Sequence, residues 1–190
     1  MTGYIKKENL IAGLIVAFFT FFIALLVSLG SEALVRVVNS IIVAIILLLI
    51  IILLGIFFDI IGTAATAANL PPFNARAAKK VFGAKQAVKI IRNNDLMANF
   101  CNDVIGDIAG TLSGAIGAGI IVSLSNRLAF VDLILGGAVM TSLIAALTVG
   151  GKAVGKGVAV NHANIIIFRV AVFLAWWESV TGIEVFKNRR

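Results

Sequence analysis

The sequence predicts an all-α, polytopic membrane protein with four transmembrane helices and cytoplasmic juxtamembrane amphipathic helices. Three observations lead there. Of 190 residues, 61% are hydrophobic and only 13% charged, and the mean hydropathy is +1.09. A soluble domain of that length has too little interior to hide so much apolar surface. The apolar runs approach twenty residues, which suits helices crossing a hydrocarbon core of about 30 Å; a barrel would show short alternating strands. The chain has 16 basic residues against 9 acidic ones, and the basic residues cluster between the apolar runs, where they anchor cytoplasmic loops. That placement makes the lipid bilayer the partner and leaves no role for nucleic acid.

The first span covers about 10–30. Its apolar run, Leu10–Leu29, is too long for a signal-peptide core, so it reads as a retained helix. The second span covers 40–61, where "IIVAIILLLIIILLGIFF" carries no polar side chain. Polarity rises through "DIIGTAATAANLPP", and Pro71–Pro72 act as a stop because proline lacks a donor and restricts the residue before it. A basic hairpin follows at 73–94. Phe73, Ala77, Val81, Ala84, Val88 and Ile91 recur at helical spacing, while Arg76, Lys79, Lys80, Lys85, Lys89 and Arg92 fill much of the remainder. That pattern describes amphipathic helix on a membrane surface, with Gly83 as the bend. The third and fourth spans cover about 98–124 and 130–150. A glycine-rich break is expected at 149–164. Segment 165–180 carries Arg169 in its middle and Trp176–Trp177 near its end, which suits a helix at the interface.

Loop charge sets the orientation. Segments 1–9, 70–97 and 151–190 hold the basic residues, including Lys6, Lys7, Lys152, Lys156, Lys187, Arg189 and Arg190. The segments between the other spans hold only Arg36 and Arg127. Four spans with both termini cytoplasmic, in the cell membrane, satisfy the positive-inside rule throughout. The organisation expected is an extra N-terminal helix (1–38), a core transmembrane domain (39–180) and a basic tail (181–190).

Three acids, Asp59, Asp103 and Asp107, fall in or beside spans. Each would cost roughly 2.5–3.5 kcal/mol at a helix centre, so such residues are functional candidates by default. Asp59, Thr63 and Thr66 share one face of the second helix, and Asn99, Asp103 and Asp107 share one face of the third. Both faces lie toward the cytoplasmic side. Carboxylates, amides and hydroxyls are hard-oxygen ligands suited to magnesium, calcium, manganese or sodium. A structural reading stands beside this one. Asn99, Asn102 and Asp103 could cap a helix end, and Asp107 could pair with Lys152, Lys156 or Arg92.

Gly106, Gly110 and Gly114 repeat at four-residue steps and permit close helix packing, in a dimer or within one chain. The run "GGKAVGKG" lacks the spacing of a phosphate-binding loop, so no nucleotide is expected. The single cysteine, Cys101, excludes an internal disulfide, and the single His162 reads as a loop or interfacial residue. No catalytic Ser/His/Asp or Cys/His set is present, so the chain does not read as an enzyme.

The order of segments resembles the transmembrane domain of the CorB/CorC and cyclin-M (CNNM) magnesium transporters. "IGTAATAAN" (61–69) is similar to that family's Ser-Glu-x-Ala-Leu-x-x-x-Asn span end, and the basic hairpin follows it. "CND" (101–103) stands where the family has Gly-Asn-Asn, and "GKAVGK" (151–156) where it has Gly-Glu-x-x-Pro-Lys. The resemblance implies a homodimer carrying magnesium, coupled to sodium, with Asn69, Asn102, Asp103 and Lys156 at family positions. The family's two glutamates fall on Gly62 and Lys152, and its proline on Gly155. No CBS regulatory domain is seen in the sequence.

Two functions follow. The first is divalent-cation transport, magnesium foremost with sodium as possible counter-ion. Its site would be built from Asp59, Thr63, Thr66, Asn69, Asn99, Asn102, Asp103 and Asp107. The alternative is a non-transporting membrane scaffold or partner subunit whose acids form structural ion pairs.

Overall fold

The structure is a computed structural model that describes residues 7–38, 40–128, 132–184 and 186. Lys6, Lys187, Arg189 and Arg190, on which part of the expected orientation rests, lie outside them. Every regular element among the described residues is helical: α1 (Lys7–Val38), α2 (Ile41–Ala67), α3 (Leu70–Ala78), α4 (Ala84–Arg92), α5 (Asn94–Ala98), a π-helical segment (Asn99–Ile105), α6 (Gly106–Arg127), α7 (Leu133–Asn161) and α8 (Ala163–Thr181). Five stretches are long and apolar enough to cross a membrane: Gly13–Gly30, Ile41–Ala67, Asn94–Arg127, Leu133–Asn161 and Ala163–Thr181. The segment Asn94–Arg127 joins α5, the π segment and α6.

α2 is the central helix, packed against both α6 and α7. Ala44, Leu48, Ile51 and Ile52 of α2 form one apolar cluster with Val104, Ile108, Ala109, Leu112, Ile116 and Ile120, and with Ile144 of α7. Lipid tails are as apolar as these side chains, so association here rests on close packing rather than on escape from water. Small residues set the distance. A Cβ on Gly55 would stand 2.9 Å from the Ala109 Cβ, and one on Gly155 would stand 2.7 Å from Ile60 Cγ1.

That packing narrows one expectation. The break expected within 149–164 falls at His162, between α7 and α8, while the glycines before it stay helical because α7 continues to Asn161. Gly151 and Gly155 seat Ile56 and Ile60 of α2, so close helix contact outweighs glycine's intrinsic cost, about 1 kcal/mol per residue in a helix. The prolines also act differently from the expected stop. α2 ends at Ala67, and Pro71–Pro72 occupy the first turn of α3, where a missing N–H costs nothing.

A second cluster lies at one end of the bundle. Phe73, Ala87 and Ile90 of the basic hairpin pack against Ala163, Ile167 and Ala171 of α8, together with Ala64 and Ala65 of α2. The buried hairpin stripe is Phe73, Ala84, Ala87 and Ile90, one position off the expected Val88 and Ile91; Val81 is exposed. Gly83 makes the turn with φ +81, and a Cβ there would stand 2.8 Å from Val172 Cγ2. Toward its C-terminus α8 is pinned to α4 by Gln86 Nε2 donating to Glu178 Oε2 at 3.0 Å, and the chain just beyond it by a Lys89–Glu184 ion pair at 3.0 Å.

The glycine seam yields a direct check. Gly155→Leu should destabilise the chain by about 1–3 kcal/mol through overpacking. Gly157→Leu, where nothing lies within 4 Å of a built Cβ, should stay within about 0.5 kcal/mol. Thermal unfolding in detergent micelles reads both.

Candidate functional site

Where α2, the π segment and α7 meet, the interior turns polar. Asp59 is 3% exposed although it is ionisable. Its Oδ1 lies 3.6 Å from the Nζ of Lys152, whose side chain is 23% exposed. That separation is an ion pair without a close hydrogen bond. Three buried oxygens in this region have no hydrogen-bond partner among the described residues: Asp59 Oδ2, Asn102 Oδ1 and Thr148 Oγ1. Unsatisfied polar atoms at this burial cost about 1–3 kcal/mol each.

Local sequence explains how these groups reach one layer. Asp59 lies on the α2 face that also buries Gly55 and Gly62. Thr148 and Lys152 are one turn apart on α7, on the face where Gly151 and Gly155 meet α2. The third contributor is the π segment, in which Gly106 N–H donates to Cys101 carbonyl five residues back. Such bulges are frequent at functional sites. Gly62 and Gly106 leave the space. A Cβ at Gly62 would fall on the Asn102 carboxamide, and one at Gly106 would stand 3.2 Å from Lys152 Nζ.

Distances along the helices agree. At about 1.5 Å per residue, Asp59 lies about 27 Å from Ile41, and Lys152 about 28 Å from Leu133. Gly106 lies about 31 Å from Arg127. Asp59, Lys152 and Gly106 therefore lie near one level, roughly a hydrocarbon thickness from the opposite helix ends, with Asn102 against Gly62 about one turn to one side and Thr148 about one turn before Lys152 to the other.

Of the expected site residues, the structure brings Asp59 and Asn102 into this layer. Thr63 is half-buried next to Gly62, and Thr66 is exposed with its hydroxyl donating to the Thr63 carbonyl at 2.8 Å. Asn69 stands at the α2–α3 junction, where its N–H donates to Asn164 Oδ1 at 2.9 Å. Asn99, Asp103 and Asp107 do share one face, but that face is exposed and turned away from α2. The inward face of this helix is made by Cys101, Val104, Ile108, Ala109 and Leu112. Among the described residues no group of three or more His, Cys, Asp or Glu side chains could hold a metal. The glycine ladder divides. Gly106 faces Lys152, whereas Gly110 and Gly114 have nothing within 4 Å of a built Cβ. Lys79 and Lys80 are exposed at the hairpin turn, and Lys156 is exposed on α7.

Two residues of the layer were not in the expected ligand set. Lys152, expected as a cytoplasmic charge or a partner for Asp107, pairs with Asp59. Thr148 is not among the expected residues. The signal for both was their i, i+4 spacing in the glycine-rich face of the last long span.

Fold and site define a class: an all-helical chain with several helices long and apolar enough to cross a membrane, and a polar layer buried among three of them. No family model, curated protein or solved structure matches the chain. The likeness to the CorB/CorC and cyclin-M pattern therefore stands on the residues alone. At its two glutamate positions this chain has a glycine filled by the Asn102 carboxamide and a lysine paired with Asp59.

A double-mutant cycle tests the pair. Asp59→Asn or Lys152→Met alone should each lose about 3 kcal/mol by stranding a charge. The double variant should lose less than the sum by about 1.5 kcal/mol or more. Equilibrium unfolding in mixed micelles measures both values, and additive losses would show the two groups to be independent.

Proposed function

We propose that this protein carries a cation across the membrane at the Asp59–Asn102–Thr148 layer, with the Lys152 ammonium holding the cation's place when the site is empty. The observation that carries the reading is a carboxylate paired at 3.6 Å with a mostly buried lysine, its second oxygen buried without a partner, as are an oxygen each of Asn102 and Thr148. A purely structural pair in so dry a place would be expected to satisfy its oxygens. Here a carboxylate oxygen, an amide oxygen and a hydroxyl oxygen are left over, which is a hard-ligand set. The Lys152 stem is long enough to swing its charge toward water.

Charge balance favours a monovalent ion such as sodium. Asp59 and Lys152 together are neutral. Replacing the ammonium with one sodium ion leaves that balance unchanged. Magnesium, the ion implied by the family resemblance, would leave a surplus positive charge, because Asp103 and Asp107 face outward. In low dielectric such a surplus is strongly unfavourable.

In this reading four helices span the cell membrane: α1, α2, the α5–α6 helix and α7. α8 lies at the cytoplasmic interface, because it is packed along α4, whose Lys85, Lys89 and Arg92 do not belong in hydrocarbon. Both termini are then cytoplasmic. The outward face with Asp107, Gly110 and Gly114 suits a second copy of the chain in a homodimer. The Asp59–Lys152 contact also favours a second reading, a non-transporting scaffold in which the pair only fastens α2 to α7.

Purified protein in liposomes separates the two. Sodium flux above that of empty liposomes should fall to background in Asp59→Asn and persist in Asp103→Asn/Asp107→Asn. Magnesium flux that depends on Asp103 and Asp107 would restore the divalent reading. No flux of either ion from folded protein would leave the scaffold.

A further inference from the structure

We infer that the groove between the basic hairpin and α8 binds an anionic glycerophospholipid by its phosphate. This inference does not depend on cation transport. A cavity of about 400 Å³ is lined by Arg76 of α3, Val81 of the hairpin turn, and Ile165, Phe168 and Arg169 of α8. That volume falls within the roughly 300–1,000 Å³ usual for small-molecule sites.

Its two guanidinium groups come from different elements, and neither forms an ion pair with a carboxylate among the described residues. The acids of this unit are engaged with α4. Glu178 accepts from Gln86 at 3.0 Å, and Glu184 pairs with Lys89 at 3.0 Å. Arg76 is held over the Phe168 ring at 4.5 Å to the centroid. This stacking orders the guanidinium while leaving its edge free to bond an anion. Two arginines on one cavity supply the planar, multidentate donors that phosphate oxygens favour.

The remaining lining selects lipid over free phosphate. Val81, Ile165 and Phe168 are apolar, and Val81 and Ile165 are 41% and 55% exposed. An inorganic anion gains nothing from that surface, whereas the glycerol and upper acyl chains of a lipid would cover it. Exposed Phe173, Trp176 and Trp177 follow on α8, as in helices lying at the headgroup level. Basic pockets at the cytoplasmic ends of membrane helices bind anionic headgroups.

Native mass spectrometry of the full chain, released from micelles containing dioleoylphosphatidylglycerol, reads the retained lipid. The wild-type chain should retain it. Arg76→Gln/Arg169→Gln should bind about 30-fold more weakly, and Arg169→Gln alone about fivefold more weakly. The single variant matters because it breaks no ion pair or hydrogen bond with the described residues. Lys79→Gln/Lys80→Gln removes the same charge from the hairpin turn and should leave retention unchanged. Equal losses in the two double variants would reduce the effect to diffuse surface charge and overturn the inference. So would equal retention of dioleoylphosphatidylcholine, or displacement by inorganic phosphate. A lipid-free dimer that dissociates in Arg169→Gln would assign the groove to a second copy and overturn it as well.

Discussion

The contact between the Asp59 carboxylate and the Lys152 ammonium decides how α2 and α7 meet. Neither charge can be left alone where it sits. A lone carboxylate or ammonium at a helix centre costs roughly 2.5–3.5 kcal/mol on insertion scales, and more without water or a partner. Together they attract strongly, because the medium around them screens little. The pair joins the two helices at the seam where Gly151 and Gly155 seat Ile56 and Ile60. Thr148 lies on the same seam, one turn before Lys152. The π segment supplies the third wall, with Asn102 seated in the space Gly62 leaves.

Elsewhere the architecture follows from what each environment allows. Between helices that face lipid there is no hydrophobic driving force, and contact depends on how closely backbones approach. The α2–α6–α7 seam accordingly uses glycine and alanine opposite isoleucine. At the bundle end Phe73, Ile90 and Ile167 are buried between the hairpin and α8. That unit carries most of the basic side chains between the spans. It ties the end of α2 to α8 through the Asn69–Asn164 hydrogen bond, so the polar layer is braced from below.

Much of this was legible in the sequence. Apolar runs gave the helices, and lysine and arginine spacing gave the basic hairpin. Asp59 stood out because acids in greasy helices are rare, and Asn102 through the resemblance to the Gly-Asn-Asn pattern. What could not be read was rotation. In a soluble helix the polar face points outward, and periodicity alone says so. In a membrane helix both faces are apolar, and α6 shows almost no preference. The spacing of Asn99, Asp103 and Asp107 gave no indication of whether they turned toward α2; all three are exposed. The apolar stripe of Ile108, Ala109, Leu112 and Ile116 takes the interior instead. The π segment added to the difficulty, since an extra residue in the turn shifts the phase ahead of Gly106. Helix ends near glycine were only coarsely legible for the opposite reason. Propensity argued for a break anywhere in 149–164; tertiary packing kept α7 helical through its glycines and placed the break at His162.

The central claim is that the polar layer is a cation site in which Lys152 is the resident charge. The most direct measurement is the thermal unfolding temperature of the purified chain in sodium chloride against choline chloride at equal ionic strength. The comparison is made for the wild-type chain and for Asp59→Asn. The account predicts a sodium-specific rise in the wild-type chain that saturates with concentration and is absent in Asp59→Asn. The same unfolding temperature in both salts, with Asp59→Asn merely less stable throughout, would contradict it and leave Asp59–Lys152 as a structural fastening.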